Sequence, residues 1–466
     1  MKTEEIGPSL LAAFARVPDV RSRHGRRSQL PALLTLATAA MLAGARSLYA
    51  IAQWGRLPPP EVCRALGFSE GSMPAVTTLH YAFRRLDTLG CEAELCAWAT
   101  PALGAADRQV ILDGKALRGI HGEELPGVRL VAIYAPAAGL VLAQAGGQDP
   151  RGAGGDGGGA GASQAGGGTR RGSLPRLLRQ VRSLLRGRLV SGDALSCQKA
   201  LCRQIRAAGG DYLFAVKANQ PDLLDDVTLL FHEPPPGERF ATASTVDTQG
   251  GRLEVRQVRA SATLASYLHE AGWEAAGLVL EGETTVRWPA YPERPIRHQV
   301  RYFLTSLPAH ALPAHALRAT RCHWHIENRL HWPRDVTLGE DACQGRSGHA
   351  PQALAAVRNS VVGLLRGHGV ANLAAAVRAN AWAGPSAVLG LLGLKLCMTL
   401  RSAVRLVVVL NARCGERWAD CLAALTPRIW LAPATHETLG VPASDARLAI
   451  CVGVLRADAR PLHGRA

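Results

Sequence analysis

Apolar positions along this chain fall into three regimes. Through about residue 100 they recur at helical spacing. Residues 30–45 predict a nearly continuous apolar helix, and 47–55 a second one that stops ahead of Pro58–Pro60. Val76, Leu79, Ala82, Phe83 and Leu86 mark one face of a third helix over 74–86. From residue 109 short apolar runs take over. Strands are predicted at 109–112, 128–134, 140–145, 188–191 and 212–216, with helices at 173–186 and 196–208. This alternation predicts an α/β sheet with helices packed on it. Residues 242–246, 253–258 and 298–304 read as β segments with long connections, an insertion over 236–300 that returns to the main sheet at 300–304. Amphipathic helices at 352–365 and 370–381 are expected to carry arginines on their outer faces. Beyond Gly384 the chain is apolar and proline-punctuated, and 388–410 reads as a core helix.

Three segments follow from that pattern: a helical region over 1–100, an α/β region over 105–375, and a C-terminal extension over 376–466 whose role the sequence does not give. Inside the α/β region, residues 146–172 are dominated by glycine and have no apolar periodicity. They read as a flexible surface insertion, since they bury too little to offset the entropy of ordering. No GxxxxGK[ST] pattern makes them a phosphate cradle.

Charge adds a partner. The 53 lysines and arginines exceed the 37 acids and give a net charge of +16. Such an excess favours a polyanion, nucleic acid first, although an arginine-rich, GC-biased genome would produce the same balance. Short N-terminal helices with basic flanks, and Thr77, Thr78, Arg84 and Arg85 on the third, fit a helix-turn-helix-like DNA reader. The eleven cysteines form no CxxC pair, and the N-terminus lacks a signal-peptide pattern, so a reducing, cytoplasmic setting is expected.

Chemistry concentrates in the acids. Asp113 and Asp193 each stand just past a predicted strand, where the strand fixes position and the loop leaves the side chain reachable. Taken singly, such an aspartate is more often a turn former or a helix cap, and Asp193 in GDALS could cap the helix after it. Two at corresponding strand ends suit Mg²⁺, a hard cation that takes oxygen ligands. A third acid is then wanted on a helix facing the sheet edge. The stretch TRCHWHIENRLHWPRDVTLGED at 320–341 offers Glu327, Asp335, Glu340 and Asp341. Pro333 is expected to end or kink the helix, which places Glu327 within it and the other three beyond.

ILDGKALRG at 111–119, VSGDALSCQ at 190–198, GGDYLFAVKANQP at 209–221 and HWHIENRLHWPRDVTLGED resemble the insertion-sequence transposases related to the H-repeat-associated proteins of Rhs elements. These belong to the DDE transposase group with a ribonuclease H-like catalytic fold. The stretch VPDVRSRHGRRSQLPALLTLATAAMLAGARSLYAIAQW resembles their associated helical domain, and the resemblance spans roughly residues 10–375. It implies Asp113, Asp193 and Glu327 as the catalytic, metal-binding triad for Mg²⁺ or Mn²⁺, with two ions expected. The implied reaction is hydrolysis at the transposon ends, then attack by the freed 3′-hydroxyl on target DNA. The implied partners are double-stranded DNA, as terminal repeats and target, and further copies of the chain in a homo-oligomer. Lys115, Arg118, Lys217, Asn219 and Gln220 match recurrent polar positions, expected near DNA phosphates or the acids. Arg321 and Arg334 flank Glu327 as basic residues could flank a scissile phosphate.

The chain departs from that pattern in three places. Glycine-rich 146–172 stands where relatives carry a shorter polar segment, Pro333 and Arg334 replace an apolar pair, and the tail from Gly384 has no counterpart. A decayed copy that binds DNA without cutting is the alternative reading. His323, Glu327 and His331 also recur every four residues, as a transition-metal site would require, but HExxH and a distant Cys/His cluster are both missing.

Overall fold

The computed structural model describes residues 3–24, 26–68, 73–117, 121–122, 125–126, 129–146, 165–311, 313–394, 405–411, 430–433 and 448–454. Residues 1–396 form one compact unit and 397–466 a second. The first opens with six helices: α1 (Thr3–Arg16), α2 (Leu30–Leu42), α3 (Leu48–Gly55), α4 (Pro60–Ala65), α5 (Val76–Arg84) and α6 (Thr88–Ala99). Their ends follow local chemistry. Ser47 accepts a hydrogen bond from the Ala50 N–H and Asp87 from the Gly90 N–H, each satisfying one of the donors a helix start leaves orphaned. Helix α2 is buried almost all round. Its Thr38 hydroxyl avoids an unpaired polar group by donating to the Leu34 carbonyl at 2.9 Å.

A nine-stranded mixed sheet follows, made of β1 (Gln109–Ala116), β2 (Arg129–Ala135), β3 (Leu140–Gly146), β4 (Leu189–Gly192), β5 (Asp211–Val216), β6 (Ala241–Gln249), β7 (Arg252–Ser261), β8 (Leu278–Arg287) and β9 (Arg297–Thr305). The spatial order is β3-β2-β1-β4-β5-β9-β8-β7-β6. Strands β1, β4 and β5 run parallel, and β2 and β3 join as antiparallel neighbours on one side. Strand β9 pairs antiparallel with β5. That segment is more regular than its sequence predicts. Gly250 and Gly251, at φ 61° and 71°, close a two-residue hairpin between β6 and β7, a turn that needs left-handed backbone at both positions.

Helices α7 (Ala165–Gln180) and α8 (Lys199–Ala207) fall between β3, β4 and β5, and α9 (Pro221–His232) and α10 (Ala265–Glu270) accompany the later strands. Helix α7 begins before the expected Ser173, inside the glycine-rich stretch; residues 147–164 of that stretch lie outside the described residues. Helix α11 (Pro313–His323) leads into the segment that carries Glu327, and α12 (Ala350–Gly367), α13 (Leu373–Ala383) and α14 (Pro385–Leu391) close the unit.

The N-terminal helices and the sheet share one core. Phe14, Leu33, Met41, Phe83, Ile111, Tyr134, Leu177, Phe214, Val357 and Leu364 belong to a single buried cluster. Helix α12 lies within it, so the expectation of outward arginines fails at Arg358, which is 2% exposed and donates to the Arg46 carbonyl. The helix is covered on more than one side, which its alanine-rich sequence does not reveal. A continuous helix over 388–410 is also not found. Residues 395–404 lie outside the described residues, and β10 (Arg405–Asn411) is a strand, as its run Leu-Val-Val-Val-Leu would favour. In the second unit β10, β11 (Trp430–Pro433) and β12 (Leu448–Val454) form an antiparallel sheet of order β10-β12-β11. Among the described residues no helix is long and apolar enough to cross a membrane.

Candidate metal-binding active site

Parallel pairing between β1 and β4 ends at Leu112 opposite Gly192. Asp113 follows Leu112 on β1 and Asp193 follows Gly192 just past the end of β4, so both aspartates stand where the parallel pairing stops. Neighbouring strands lie about 4.8 Å apart. Asp113 is not beyond its strand, as the sequence suggested: β1 continues to Ala116 through its antiparallel partner β2. Gly192 is obligatory here. A Cβ at that position would lie 2.7 Å from the Ser196 Cβ and 2.9 Å from the Phe214 ring, so any side chain would push the Asp193 turn off β5. The Asp193 carboxylate accepts from the Ser196 N–H at 3.1 Å and its hydroxyl at 2.9 Å, which is the capping role its sequence context allowed.

The acidic helix approaches from the other side. Beyond α11 it continues through Glu327–His331 and Pro333–Thr337 as two π-helical turns. The Trp332 N–H donates to the Glu327 carbonyl, and the Leu338 N–H to the Pro333 carbonyl, each five residues back. Pro333 therefore does not end the helix. The widened turn gives the proline ring room beside the carbonyl four residues earlier. Such turns aim side chains off the regular helical rows, and this one brings Glu327 to Asp113.

Asp113, Glu327 and His331 each offer a ligand atom, all within 4.8 Å of one another. The His331 Nδ1 is 3.2 Å from a Glu327 carboxylate oxygen and 3.5 Å from one of Asp113. Glu327 is more than half exposed, Asp113 less so, and His331 is buried. The site is thus open on its Glu327 side and closed beneath by an imidazole. Asp193 is the register neighbour of this group without belonging to it. His331 was visible to sequence reasoning only as one of the evenly spaced histidines. His323, another of them, sits elsewhere: its Nδ1 is 3.3 Å from the Ser191 hydroxyl, which also accepts from Gln109 at 2.8 Å. Burial, with Arg301 and His331 nearby, holds His323 down to about 4 against the pull of Asp193, so it is a neutral imidazole.

The other three acids of the stretch are engaged elsewhere. Asp335 pairs with the Lys115 ammonium, and Asp341 lies 3.7 Å from it. Burial holds the Asp335 carboxyl above its usual range although Lys115 opposes the shift. Glu340 makes a bidentate ion pair with Arg334, both bonds at 2.5 Å and both side chains 1% exposed. Burial alone would raise Glu340; the Arg334 guanidinium outweighs it and holds the carboxyl low.

The basic and amide residues divide in the same way. Lys115, half-buried on the strand of Asp113, has Asp335 and Asp341 as its ion-pair partners. Asn219 donates to the Ala194 carbonyl at 2.7 Å and Gln220 to the Cys197 carbonyl at 2.9 Å, so both amides pin the turn that follows Asp193. Lys217 is exposed at the end of β5, and Arg321 is 42% exposed while bridging to Asp247 on β6 at 2.9 Å. Arg334, expected beside a scissile phosphate, is instead sealed in its pair with Glu340. Arg118 lies outside the described residues.

Two family models match the chain: the DDE_Tnp_1-associated domain over residues 11–99 and the transposase DDE domain over 162–361. The second contains Asp193 and Glu327 and starts after Asp113, so the place of Asp113 rests on register and distance. "Putative transposase YncI" of Escherichia coli is 27% identical over 77% of this chain and 87% of its own length. "H repeat-associated putative transposase YhhI" of Escherichia coli is 24% identical over 76% of this chain and 90% of its own. Among solved structures, a piggyBac transposase synaptic complex with hairpin DNA is similar at 9% identity and a TM-score of 0.33, covering 83% of this chain and 77% of that one. That likeness is too loose to bear on fold or partner. With both domain models matched in order and relatives aligned over most of their length, the chain belongs to the insertion-sequence DDE transposases related to the H repeat-associated proteins.

Proposed function

We propose that this chain cuts DNA at the ends of an insertion sequence and joins the freed 3′-hydroxyl to target DNA, with Asp113, Asp193 and Glu327 as its acidic triad. The observation that supports this reading is the approach of Glu327 to Asp113, together with the register Leu112 opposite Gly192, after which both aspartates follow. Three antiparallel strands followed by two parallel ones support a ribonuclease H-like catalytic region over 105–375, with the helical 1–100 region as its DNA-reading partner. Thr77, His80, Tyr81 and Arg84 on α5, and Arg85 at its C-cap, are exposed and suit that role.

Clustered carboxylate oxygens are the donor set a hard divalent cation takes, so the residues fit Mg²⁺ or Mn²⁺. Asp113 and Glu327 would hold it, with Asp193 adjoining for a second ion. Bound there, such ions activate the attacking oxygen and stabilise the leaving one. The chain's own residues do the remaining work. Asn219 and Gln220 hold the Asp193 turn. Lys115 ties the strand of Asp113 to the helix of Glu327 through Asp335. Exposed Lys217 would meet phosphates, Arg321 would do so on leaving its Asp247 partner, and Arg301, stacked over the half-exposed Trp324 at 4.8 Å, adds cation and aromatic surface. A homo-oligomer on double-stranded DNA is the working assembly of this reading.

The test is cleavage of DNA carrying the element's own ends, with Mg²⁺, Mn²⁺ or chelator present. Asp113→Ala, Asp193→Ala and Glu327→Ala should each lower the cleavage rate by at least about 100-fold. Robust cutting by any of the three removes that residue from the triad. DNA binding by the unaltered chain with no cutting under either metal would establish the decayed copy instead.

A further inference from the structure

We propose that His331 is a nitrogen ligand of the divalent cation held by Asp113 and Glu327, so that this metal site is a mixed nitrogen–oxygen one. The proposal rests on reading those acids as a cation-binding pair and adds a third donor of a different chemical type.

Spacing is the first argument. A six-coordinate cation with bonds of about 2.1 Å places adjacent donors about 3.0 Å apart and opposite donors about 4.2 Å apart. The His331 Nδ1 lies 3.2 Å from one carboxylate and 3.5 Å from the other, and all three donor atoms fall within 4.8 Å of one another. One cation can touch all three with small side-chain adjustments.

The second argument is rigidity. His331 is 4% exposed and sits on the π turn that begins at Glu327, so its ring faces the acids from the dry side and has little room to swing away. The third concerns its other nitrogen. Nε2 is buried and has no hydrogen-bond partner among the described residues. A proton on Nε2 leaves an unpaired donor there, and a proton on Nδ1 leaves an unpaired acceptor. Burial therefore does not select against the tautomer that presents the Nδ1 lone pair to a cation. Nδ1 is the atom through which this buried polar ring can act. His323 is unsuited to the role, because its Nδ1 already faces the Ser191 hydroxyl.

An imidazole donor changes which metals bind well. Carboxylate sites suit Mg²⁺ and Mn²⁺, whereas imidazole adds affinity for later first-row ions. Mn²⁺, Co²⁺ and Zn²⁺ should accordingly gain over Mg²⁺ at this site, relative to one built from carboxylates alone.

Pulsed electron paramagnetic resonance on the full chain, with Mn²⁺ as the probe and no DNA, tests this independently of activity. Bound Mn²⁺ should show the coupling of a ¹⁴N imidazole nitrogen, and protein grown with ¹⁵N-histidine should replace it with the ¹⁵N pattern. That second measurement needs no variant and so survives any folding defect. His331→Gln should abolish the coupling and weaken Mn²⁺ binding by at least about tenfold, while His323→Ala keeps the coupling. Mn²⁺ that binds, is lost in Asp113→Asn and shows no nitrogen coupling would overturn the proposal and leave the acidic pair standing; His331 would then only hydrogen-bond the acids. Coupling that persists in His331→Gln would assign another nitrogen. Failure of the unaltered chain to bind Mn²⁺ at millimolar concentration would sink both this inference and the acidic site beneath it.

Discussion

Glu92 shows how a single side chain can report on the packing between the N-terminal helices and the sheet. It sits on α6, and its carboxylate accepts from the Gln144 amide of β3 at 3.1 Å and the Gln352 amide of α12 at 2.7 Å. Burial pushes the carboxyl up to about 7, against the two amides and Arg176, which favour its charged form. A carboxyl raised from 4.5 stabilises the fold fully below pH 4.5, where both states are protonated. That contribution is lost as pH rises through about 7, on the order of 3 kcal/mol in all. Denaturant titrations between pH 4.5 and 8.5 should show the decline in the unaltered chain. Glu92→Gln keeps an acceptor for both amides and should flatten it; an unchanged pH profile in that variant would remove Glu92 as the source. Nearer the site, Asn219 and Gln220 belong to the same residue scale. Their amides donate to backbone carbonyls of the Asp193 turn, which predicts a defect in chemistry rather than in DNA contact. Alanine at either position should slow cleavage about tenfold, by analogy with groups that orient metal ligands. DNA affinity should be unmoved. A loss of affinity with cleavage intact would favour the DNA-phosphate contact that the family resemblance allowed for them.

At the scale of elements, the decisive feature is the helix that passes through Pro333. Much of what it carries is legible in the sequence. Two aspartates after apolar strand runs and a glutamate on a late helix can be picked out as candidates because strand runs and motif order are local properties. Glu327 was singled out because Pro333 was expected to cut it off from the later acids, yet the helix runs on in π turns, and the acids separate by partner instead. Asp335 and Asp341 go to Lys115, and Glu340 to Arg334. Such pairings depend on long-range packing, which no local pattern encodes. For the same reason Arg334 and Arg358 look like surface cations in the sequence and prove buried. The Arg334–Glu340 pair then makes a prediction of its own. With both side chains 1% exposed, replacing Arg334 by Met strands a buried carboxylate, at a cost of about 3–5 kcal/mol. Chemical denaturation should show that loss, and the Glu340→Leu, Arg334→Met double variant should recover most of it. A variant that keeps its stability but loses DNA affinity would return Arg334 to the phosphate surface.

The whole molecule carries a net charge of +16, and the structure bears on where that charge is free to act. Several arginines are committed internally: Arg21 to Asp19, Arg206 to Asp211, Arg259 to Glu281, Arg334 to Glu340. Each such pair removes one cation and one acid together, so internal pairing leaves the excess unchanged. Exposed Arg84 at the end of α5, Arg85 just after it and Lys217 at the end of β5 are among those left to face a polyanion. If DNA is that polyanion, affinity should follow counterion release, with log K falling linearly against log salt. For about 6–10 phosphates neutralised, raising salt from 50 to 200 mM should weaken binding roughly 10³–10⁵-fold. The acids of the active site contribute nothing attractive to this term. Asp113→Ala and Asp193→Ala should therefore bind the element's ends with the same salt slope as the unaltered chain, while Arg84→Ala combined with Arg85→Ala should lower the slope by about two. Fluorescence anisotropy across a salt series measures all of these together. A slope near zero would mean that the charge excess does not serve DNA, and the reading of the N-terminal helices as its reader would fall with it.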